Sequence, residues 1–239
     1  MRIAVIPARG GSKRIPRKNI RFFEGQPIIA WSIQAAITSG CFDKVLVSTD
    51  DEEIAAISRQ YGADTPFIRP SELADDFSGT ADVMRHAIQS VNAAANSIMS
   101  ASSGVTAACC IYATAPLICP EDIGMGLKQL NNGSCDYALA VTEFEFPIQR
   151  AVRLDENNHL VMLNPEFSGT RSQDLVPTFH DAGQFCWGTA EAWLHAKPIY
   201  NGMTAAVSIE RCRVQDIDNE NDWQRAELMF RASLSQNSR

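Results

Sequence analysis

The chain has 239 residues, 45% of them hydrophobic, and its 21 lysines and arginines are outnumbered by 28 aspartates and glutamates. A net charge of −7 argues against general nucleic-acid binding, which needs a broad basic surface, and no apolar run approaches the roughly 18 residues of a membrane span. Seven cysteines without a CxxC pair indicate neither a disulfide framework nor a zinc site and predict reduced, buried thiols in a cytoplasmic protein.

Up to about residue 142, short apolar runs alternate with helical segments. Strands are predicted at Arg2–Pro7, Lys44–Ser48, Ala107–Tyr112 and Tyr137–Thr142, because each is a short apolar run bounded by turn residues. Helices are predicted between them at Pro27–Ser39, Thr49–Gly62, Thr80–Ala93 and Pro120–Leu130. The small, polar segment 94–104 is expected to be a mobile connection. This order predicts an α/β fold with a mostly parallel central sheet.

The alternation stops at Glu143 and resumes near the carboxyl end. Residues 143–185 are rich in aromatics, prolines and turn residues without helical periodicity, which indicates an inserted unit of strands and loops, interpreted as an oligomerisation arm. A helix at Thr189–His195, a strand at Ala205–Ile209 and a helix at Asn221–Arg231 are then predicted. We therefore expect one domain, residues 1–239, that carries this insertion.

The loop after the first predicted strand is IPARGGSKRIPRKNI, and six basic residues but no acidic one lie from Arg9 to Arg21. Ligands of parallel α/β sheets bind beyond the carboxyl ends of the strands, where this loop begins. Gly10 and Gly11 can take positive φ, successive amides can form an anion nest, and the basic side chains would neutralise a polyphosphate. The loop is neither a P-loop nor a GxGxxG motif. The alternative, a solvated basic loop, is weakened because clustered cations repel without an anion.

A second candidate site is the DID sequence at Asp216–Asp218. Carboxylates spaced by two residues share one face of an extended backbone, and Mg²⁺ binds one or two carboxylates together with substrate phosphates and water. Helix capping before the last predicted helix is the alternative. For Asp50 and Asp51 we prefer capping, since Thr49 and Asp50 are good N-caps for the helix that follows.

Several segments together resemble one enzyme family. The opening loop, VSTDDEEIA, FIRPSELADD, the APL of YATAPLI, and RVQDIDNENDW are similar in order and spacing to the sialic-acid-type cytidylyltransferases, which make CMP-activated nonulosonic acids. YATAPLI stands where N-acylneuraminate enzymes typically carry a QPTSPLR-like segment. Together with FEFPIQRAV, TRSQDL and HDAGQFCWG, it resembles the pseudaminic acid cytidylyltransferase branch.

The resemblance implies a Rossmann-like nucleotidyltransferase fold and a specific reaction. The anomeric hydroxyl of pseudaminic acid would attack the α-phosphate of CTP, assisted by Mg²⁺ or another divalent cation, to give CMP-pseudaminic acid and pyrophosphate. It implies catalytic roles for Arg9, Lys18 and Asp218, and metal ligation by Asp216 and Asp218. The implied nucleotide-binding positions are Ala8, Arg9, Gly10, Gly11, Ser12, Lys13, Asn19, Arg69 and Thr80.

The acceptor implied by the resemblance is a nine-carbon 2-keto sugar acid. Arg171 matches the family position that binds its carboxylate, with Arg150 as a second candidate, since an arginine fork suits a carboxylate. Tyr112, Gln173, His180 and Gln184 are candidates for reading hydroxyl and amide groups. The family often forms this region across a homodimer, so the 143–185 insertion is expected to serve the neighbouring subunit's site.

Three alternatives stay open from the residues alone. The same reaction could use N-acetylneuraminate or legionaminate, although Tyr112 in place of the family's glutamine speaks against N-acetylneuraminate. A glycosyltransferase could use DID as a DxD motif, but the basic loop fits a triphosphate better. A nucleotide-binding protein without turnover is disfavoured by the intact Lys18 and DID. The general base is open between Asp218 and a metal-bound hydroxide.

Overall fold

A computed structural model describes residues 1–74, 79–97 and 104–236 of the chain. Its strands are β1 (Arg2–Pro7), β2 (Phe22–Phe23), β3 (Gln26–Pro27), β4 (Lys44–Ser48), β5 (Ala107–Ile111), β6 (Tyr137–Glu143), β7 (Val152–Leu154), β8 (Leu160–Met162), β9 (Phe179–Thr189) and β10 (Thr204–Ser208). Its helices are α1 (Ile28–Thr38), α2 (Glu52–Gln60), α3 (Thr80–Ser97), α4 (Pro120–Asn131), α5 (Ala190–Leu194) and α6 (Glu220–Gln236).

Six strands form the central sheet in the order β10-β6-β9-β5-β1-β4. β1 pairs in parallel with β4 and β5, and β10 pairs in parallel with β6. β9 runs antiparallel to both of its neighbours. The predicted α/β fold with a mostly parallel sheet is therefore confirmed, and the carboxyl ends of five strands meet at one edge.

Helices cover both faces of this sheet, which explains why its middle strand β5 is apolar throughout. Residues of α1 and α4, such as Ile33 and Ile123, pack on one face. Residues of α3 and α5, such as Ile88 and Trp193, pack on the other. A strand buried on both faces needs a continuous apolar run rather than an alternating pattern, and every residue of β5 is buried.

A third apolar cluster joins the start of the chain to its end. Ile15 of the basic loop and Ile217 of the DID sequence are both fully buried in it. They pack with residues from β2, α1 and α6, among them Phe23 and Trp223, and the Phe23 and Trp223 rings meet edge to face at 5.5 Å between centroids. Full burial of one isoleucine side chain contributes about 1.5–3 kcal/mol, so this cluster holds the basic loop against the DID sequence.

The predicted extent of the insertion, residues 143–185, is wrong at its carboxyl end. Phe179–Thr189 forms β9, an eleven-residue strand at the centre of the sheet. The segment outside the sheet is residues 144–178, which holds short 3-10 turns and the β7–β8 hairpin. β9 was not predicted because polar His180, Asp181 and Gln184 interrupt its apolar run. Its pairing with β6 shifts register between Leu139 and Val141 of β6.

The expected mobile connection at 94–104 is only partly within the described chain. α3 continues through Ser97, so the helix is longer than the predicted Thr80–Ala93, and residues 98–103 lie outside the described residues. Within the described residues, none of the helices combines the length and apolar character that crossing a membrane requires.

Candidate active site

A cleft of about 450 Å³ opens at the sheet edge where β1 and β5 end. It collects sequence-predicted residues from four separate segments, namely Arg9, Ser12, Lys13, Lys18, Asn19, Arg69, Thr80 and Tyr112. Arg14, predicted only as one of the basic residues of the loop and not as an individual site residue, also lines it. The juxtaposition places cationic side chains around a space that can hold a nucleotide.

Hydrogen bonds fix the shape of the basic loop. The Gly10 amide donates to Asp50 Oδ1 at 3.1 Å, and Asn19 Nδ2 donates to the Arg9 carbonyl at 2.9 Å. Neither Gly10 nor Gly11 takes the positive φ considered from the sequence. Gly10 is needed for space instead, because a Cβ there would lie 2.5 Å from Asp51 Oδ2.

Arg17 is committed to a structural role away from the cleft. Its left-handed backbone (φ 54°) aims the guanidinium at Asp51 and Glu53, with which it forms ion pairs. Asp51 also accepts the amides of Glu53 and Ile54 at 3.0 Å. Asp51, rather than the predicted Thr49 or Asp50, is therefore the N-cap of α2, and the Arg17 hydrogen bond lowers the pKa of Asp51.

These ion pairs correct the expectation that the clustered cations of the basic loop repel one another unless an anion is bound. Arg14, Arg17 and Lys18 each have a carboxylate from a distant segment within ion-pair distance. The clustered cations are thus partly neutralised by the protein itself, so their proximity in sequence does not by itself require an anionic ligand.

Arg69 is the most deeply buried cation of the cleft, with only 4% of its side chain exposed. Its Nη2 lies 3.6 Å from Asp50 Oδ1, while its buried Nε has no hydrogen-bond partner among the described residues. Burial lowers the pKa of Arg69, against the opposing effect of Asp50. A buried donor without a partner is costly, which favours a ligand acceptor at this position.

The DID sequence lies against the basic loop. Lys18 Nζ donates to the Ile217 carbonyl at 2.6 Å and lies 3.8 Å from Asp218 Oδ1. Burial lowers the pKa of Lys18, and the nearby carboxylates of Asp218 and Asp216 oppose that shift. Burial raises the pKa of Asp216, and the charge of Asp218 adds to the rise. Ile217 points into the apolar cluster, which leaves both carboxylates on the side of Lys18.

The chemistry of this pair fits a hard divalent cation. Asp216 and Asp218 supply carboxylate oxygens close enough to repel one another, and a cation would relieve that repulsion. Within the described ranges, no group of three or more histidine, cysteine or acidic residues could hold a metal ion. Two carboxylates completed by substrate phosphates and water suit Mg²⁺.

Tyr112 and Gln184 meet just beyond the carboxyl end of β5, at the middle of β9. The Tyr112 amide donates to the Gln184 carbonyl at 2.9 Å, and Gln184 Nε2 donates to the Arg213 carbonyl at 2.6 Å. Gln184 Oε1 is buried without a partner in the described part of the chain. Burial raises the pKa of Tyr112, with a further contribution from Asp181.

The remaining predicted sugar-binding residues lie outside this cleft. Arg171 pairs with Asp174 at 2.8 Å, and Arg150 Nη1 donates to Ser172 Oγ at 3.3 Å. Gln173 lines a separate cleft of about 350 Å³, and His180 packs on the Phe144 ring with centroids 4.6 Å apart. A single subunit therefore does not bring Arg150, Arg171 and Gln173 to the nucleotide cleft.

An ion pair missed by the sequence analysis anchors the segment before the DID sequence. Arg213 forms hydrogen bonds with Asp122 near the start of α4, and the Asp122 side chain is almost fully buried. These residues are 91 positions apart, so no local pattern could have linked them.

Comparison with known proteins agrees with the residue-level resemblance. The chain is 40% identical over 97% of its length to a pseudaminic acid cytidylyltransferase of Campylobacter jejuni, of which it covers 97%. It is 29% identical to an N-acylneuraminate cytidylyltransferase of Escherichia coli, over 94% of this chain and 51% of the relative.

A solved structure matches the fold of nearly the whole chain. A CMP:2-keto-3-deoxy-manno-octonic acid synthetase complexed with CTP superposes with a TM-score of 0.72 at 14% identity, over 97% of this chain and 99% of the other. At that identity the superposition shows a shared fold. A family model described as cytidylyltransferase matches residues 3–166. Together with the 40% identical relative, this match shows that the chain belongs to the cytidylyltransferase family.

Proposed function

We propose that this protein transfers CMP from CTP to pseudaminic acid. The anomeric hydroxyl of the sugar loses its proton to a base, its oxygen forms a bond to the α-phosphorus, the bond from that phosphorus to the bridging oxygen breaks, and pyrophosphate leaves. The observation that carries the proposal is the cleft lined by Arg9, Lys18 and Arg69, at which Lys18 lies 3.8 Å from the Asp218 carboxylate. The 40% identity to a pseudaminic acid cytidylyltransferase over 97% of both chains supports the choice of sugar.

The basic loop and the DID sequence have different roles in the proposed reaction. Arg9, Ser12, Lys13 and Lys18 bind the triphosphate, while Asn19, Arg69 and Thr80 fix the rest of the nucleotide. Asp216 and Asp218 would hold Mg²⁺, which when bound offsets the negative charge that develops at the phosphates. Lys18 contributes a positive charge at the junction of the two sides, and the loop orients the α-phosphate for in-line attack.

Sugar recognition is proposed to involve two subunits. Tyr112 lines the cleft from within one chain, and its backbone amide is bonded to the Gln184 carbonyl. Gln184 Oε1, which has no partner among the described residues, can accept a hydrogen bond from a sugar amide or hydroxyl. Arg150, Arg171 and Gln173 lie on the 144–178 segment, which we name the arm. We infer that the arm of a second copy completes the site in a homodimer, with Arg171 exchanging Asp174 for the sugar carboxylate.

We also propose a cytoplasmic location. All seven cysteines are unpaired, and four of them are buried, namely Cys41, Cys109, Cys110 and Cys186. Cys119 and Cys135 are half-buried and Cys212 is exposed, so the prediction of buried thiols is wrong for these three. Burial strongly raises the pKa of Cys109 and Cys186. Buried, protonated thiols that pack as small apolar groups are typical of proteins in reducing compartments.

The direct test follows pyrophosphate release from CTP with Mg²⁺ and a panel of nonulosonic acids. Release should depend on the sugar and should be fastest, in kcat/KM, with pseudaminic acid, because a site that hydrogen-bonds one substituent pattern leaves polar groups unpaired with another. Equal kcat/KM for pseudaminic acid and N-acetylneuraminate would contradict the choice of sugar alone. No release with any sugar would contradict the transfer reaction.

Two variants test the transfer reaction and the preference for one sugar separately. Asp218→Ala should abolish turnover with retained fold, since the carboxylate that helps hold the cation is lost. Tyr112→Gln should narrow the preference between the two sugars while turnover persists. Near-normal turnover of Asp218→Ala with Mg²⁺ would remove the proposed metal role.

A further inference from the structure

Arg14 connects the basic loop to the DID sequence and also faces the proposed nucleotide cleft. Its Nη1 lies 2.8 Å from Asp218 Oδ2, and its side chain lines the cleft that would hold the triphosphate. The neighbouring Lys18 lies 3.8 Å from the other oxygen, Asp218 Oδ1. Both oxygens of the carboxylate are therefore close to protein cations.

The ion pair between Arg14 and Asp218 can be replaced by another ionic contact because both side chains are exposed to solvent. The Arg14 side chain is 69% exposed and that of Asp218 is 38% exposed, and exposed ion pairs of this kind contribute little stability. Lys18, by contrast, is anchored by its 2.6 Å hydrogen bond to the Ile217 carbonyl. Arg14 is thus the cation that can leave Asp218 at small cost, and phosphate oxygens at the cleft offer its guanidinium a bidentate alternative.

We propose that Arg14 exchanges Asp218 for the phosphates of the incoming nucleotide. In the substrate-free protein Arg14 occupies the carboxylate and disfavours premature cation binding. When the triphosphate enters, Arg14 moves to its oxygens and leaves Asp218 available as a metal ligand. Arg14 is therefore a nucleotide-binding residue that couples triphosphate binding to metal binding. This inference rests on the proposed function of the same site.

The test measures binding without turnover. Mn²⁺ binding to the nucleotide-free protein is followed by electron paramagnetic resonance, and CTP binding in EDTA by calorimetry. Arg14→Ala should bind Mn²⁺ about 2- to 5-fold more tightly, the worth of an exposed ion pair. It should bind CTP about 10-fold more weakly, because a charged hydrogen bond is lost.

Arg21→Ala is the matched control. Arg21 also joins the basic loop to the DID region, through a 2.5 Å pair with Glu220, but it does not line the cleft. This variant should change neither binding constant. Arg14→Lys keeps the charge without the fork and should fall between the parent and Arg14→Ala in CTP affinity.

A double-mutant cycle tests the exchange itself. Asp218→Asn should strengthen CTP binding in EDTA, since Arg14 no longer has to leave a carboxylate, and the gain should be smaller when Arg14→Ala is also present. An equal gain in both backgrounds would overturn the exchange. So would weakened CTP binding by Arg14→Ala without tighter Mn²⁺ binding, or tighter Mn²⁺ binding without weaker CTP binding. Each of these outcomes is independent of pyrophosphate release, which tests the proposed function separately.

Discussion

Lys18 is the residue at which the two ends of the chain meet. Its ammonium is bonded to the carbonyl of Ile217, 199 positions away, and burial lowers its pKa. A partly buried ammonium next to carboxylates is well placed to stabilise additional negative charge from phosphate, because a compact cation interacts more strongly in a site from which water is partly excluded.

Lys18→Ala should therefore weaken CTP binding more than sugar use. Loss of one charged hydrogen bond costs about 1.5–3 kcal/mol, or about 10- to 150-fold in the dissociation constant for CTP measured by calorimetry. Lys197→Ala is a suitable control, since Lys197 pairs with Asp136 and does not line the cleft. An unchanged CTP affinity with a large rise in KM for the sugar would reverse the assignment of the loop.

At the scale of elements, the N-cap of α2 stabilises both the helix and the basic loop. Asp51 caps the helix and holds Arg17, so Asp51→Ala should lower the free energy of unfolding by about 1–2 kcal/mol at pH 7. The pKa of Asp51 is lowered in the folded protein. Its carboxylate therefore contributes stability above the ordinary pKa of about 4, and that contribution disappears as the pH falls through the lower folded value.

Urea unfolding at pH 7 and below pH 4 measures this difference. The gap between the parent and Asp51→Ala should narrow at the acidic end. Glu52→Ala, which removes an exposed acid from the first turn of the same helix, should show a smaller effect at pH 7. A gap that stays constant across the range would contradict a charged role for Asp51.

The packing of β9 depends on Gly188. A Cβ at this position would lie 2.5 Å from Trp193 Nε1 and 2.7 Å from Tyr137 Cδ1, and both side chains are fully buried. Trp193 also donates to the Ala108 carbonyl, so it cannot shift freely. Gly188→Ala should lower the free energy of unfolding by about 1–3 kcal/mol, the cost of overpacking. Gly169→Ala, where the Cβ would meet nothing within 4 Å, should stay within about 0.5 kcal/mol of the parent in the same urea experiment.

At the scale of the whole molecule, the arm carries the apolar surface on which the proposed dimer depends. It exposes large apolar side chains, among them Phe146 at 76%, Leu160 at 72% and Val176 at 75%. Leu154 and Leu160 face one another across the β7–β8 hairpin, and an apolar surface of this kind is typical of an interface.

The double variant Leu154→Asp with Leu160→Asp should convert the proposed dimer to a monomer, because charges placed in an apolar interface are desolvated without partners. Sedimentation velocity gives the mass, and circular dichroism checks the fold. Leu228→Asp, at an exposed leucine of α6, is the control and should leave the dimer intact. A parent protein that sediments as a monomer would refute the two-subunit site.

The sequence by itself determined the features that depend on neighbouring residues. The apolar runs of β1 and β4 were predicted with their observed bounds, because burial on both faces leaves a local signature. The basic loop and the DID sequence were recognisable for the same reason, since their side chains are close together in sequence. Ile217 between two aspartates already indicated that both carboxylates share a face.

Only the tertiary structure decided what those residues contact. The third apolar cluster, built on Ile15 and Ile217, brings together segments about 200 positions apart, and no local pattern encodes that distance. The tertiary structure also pairs Arg17 with Asp51 and Arg14 with Asp218. It shows that glycine is needed at position 10 because a Cβ would collide with Asp51, and not because the backbone takes a positive φ. Ion pairs between distant segments depend on how the whole chain packs, and hence six similar cations in one loop have different roles.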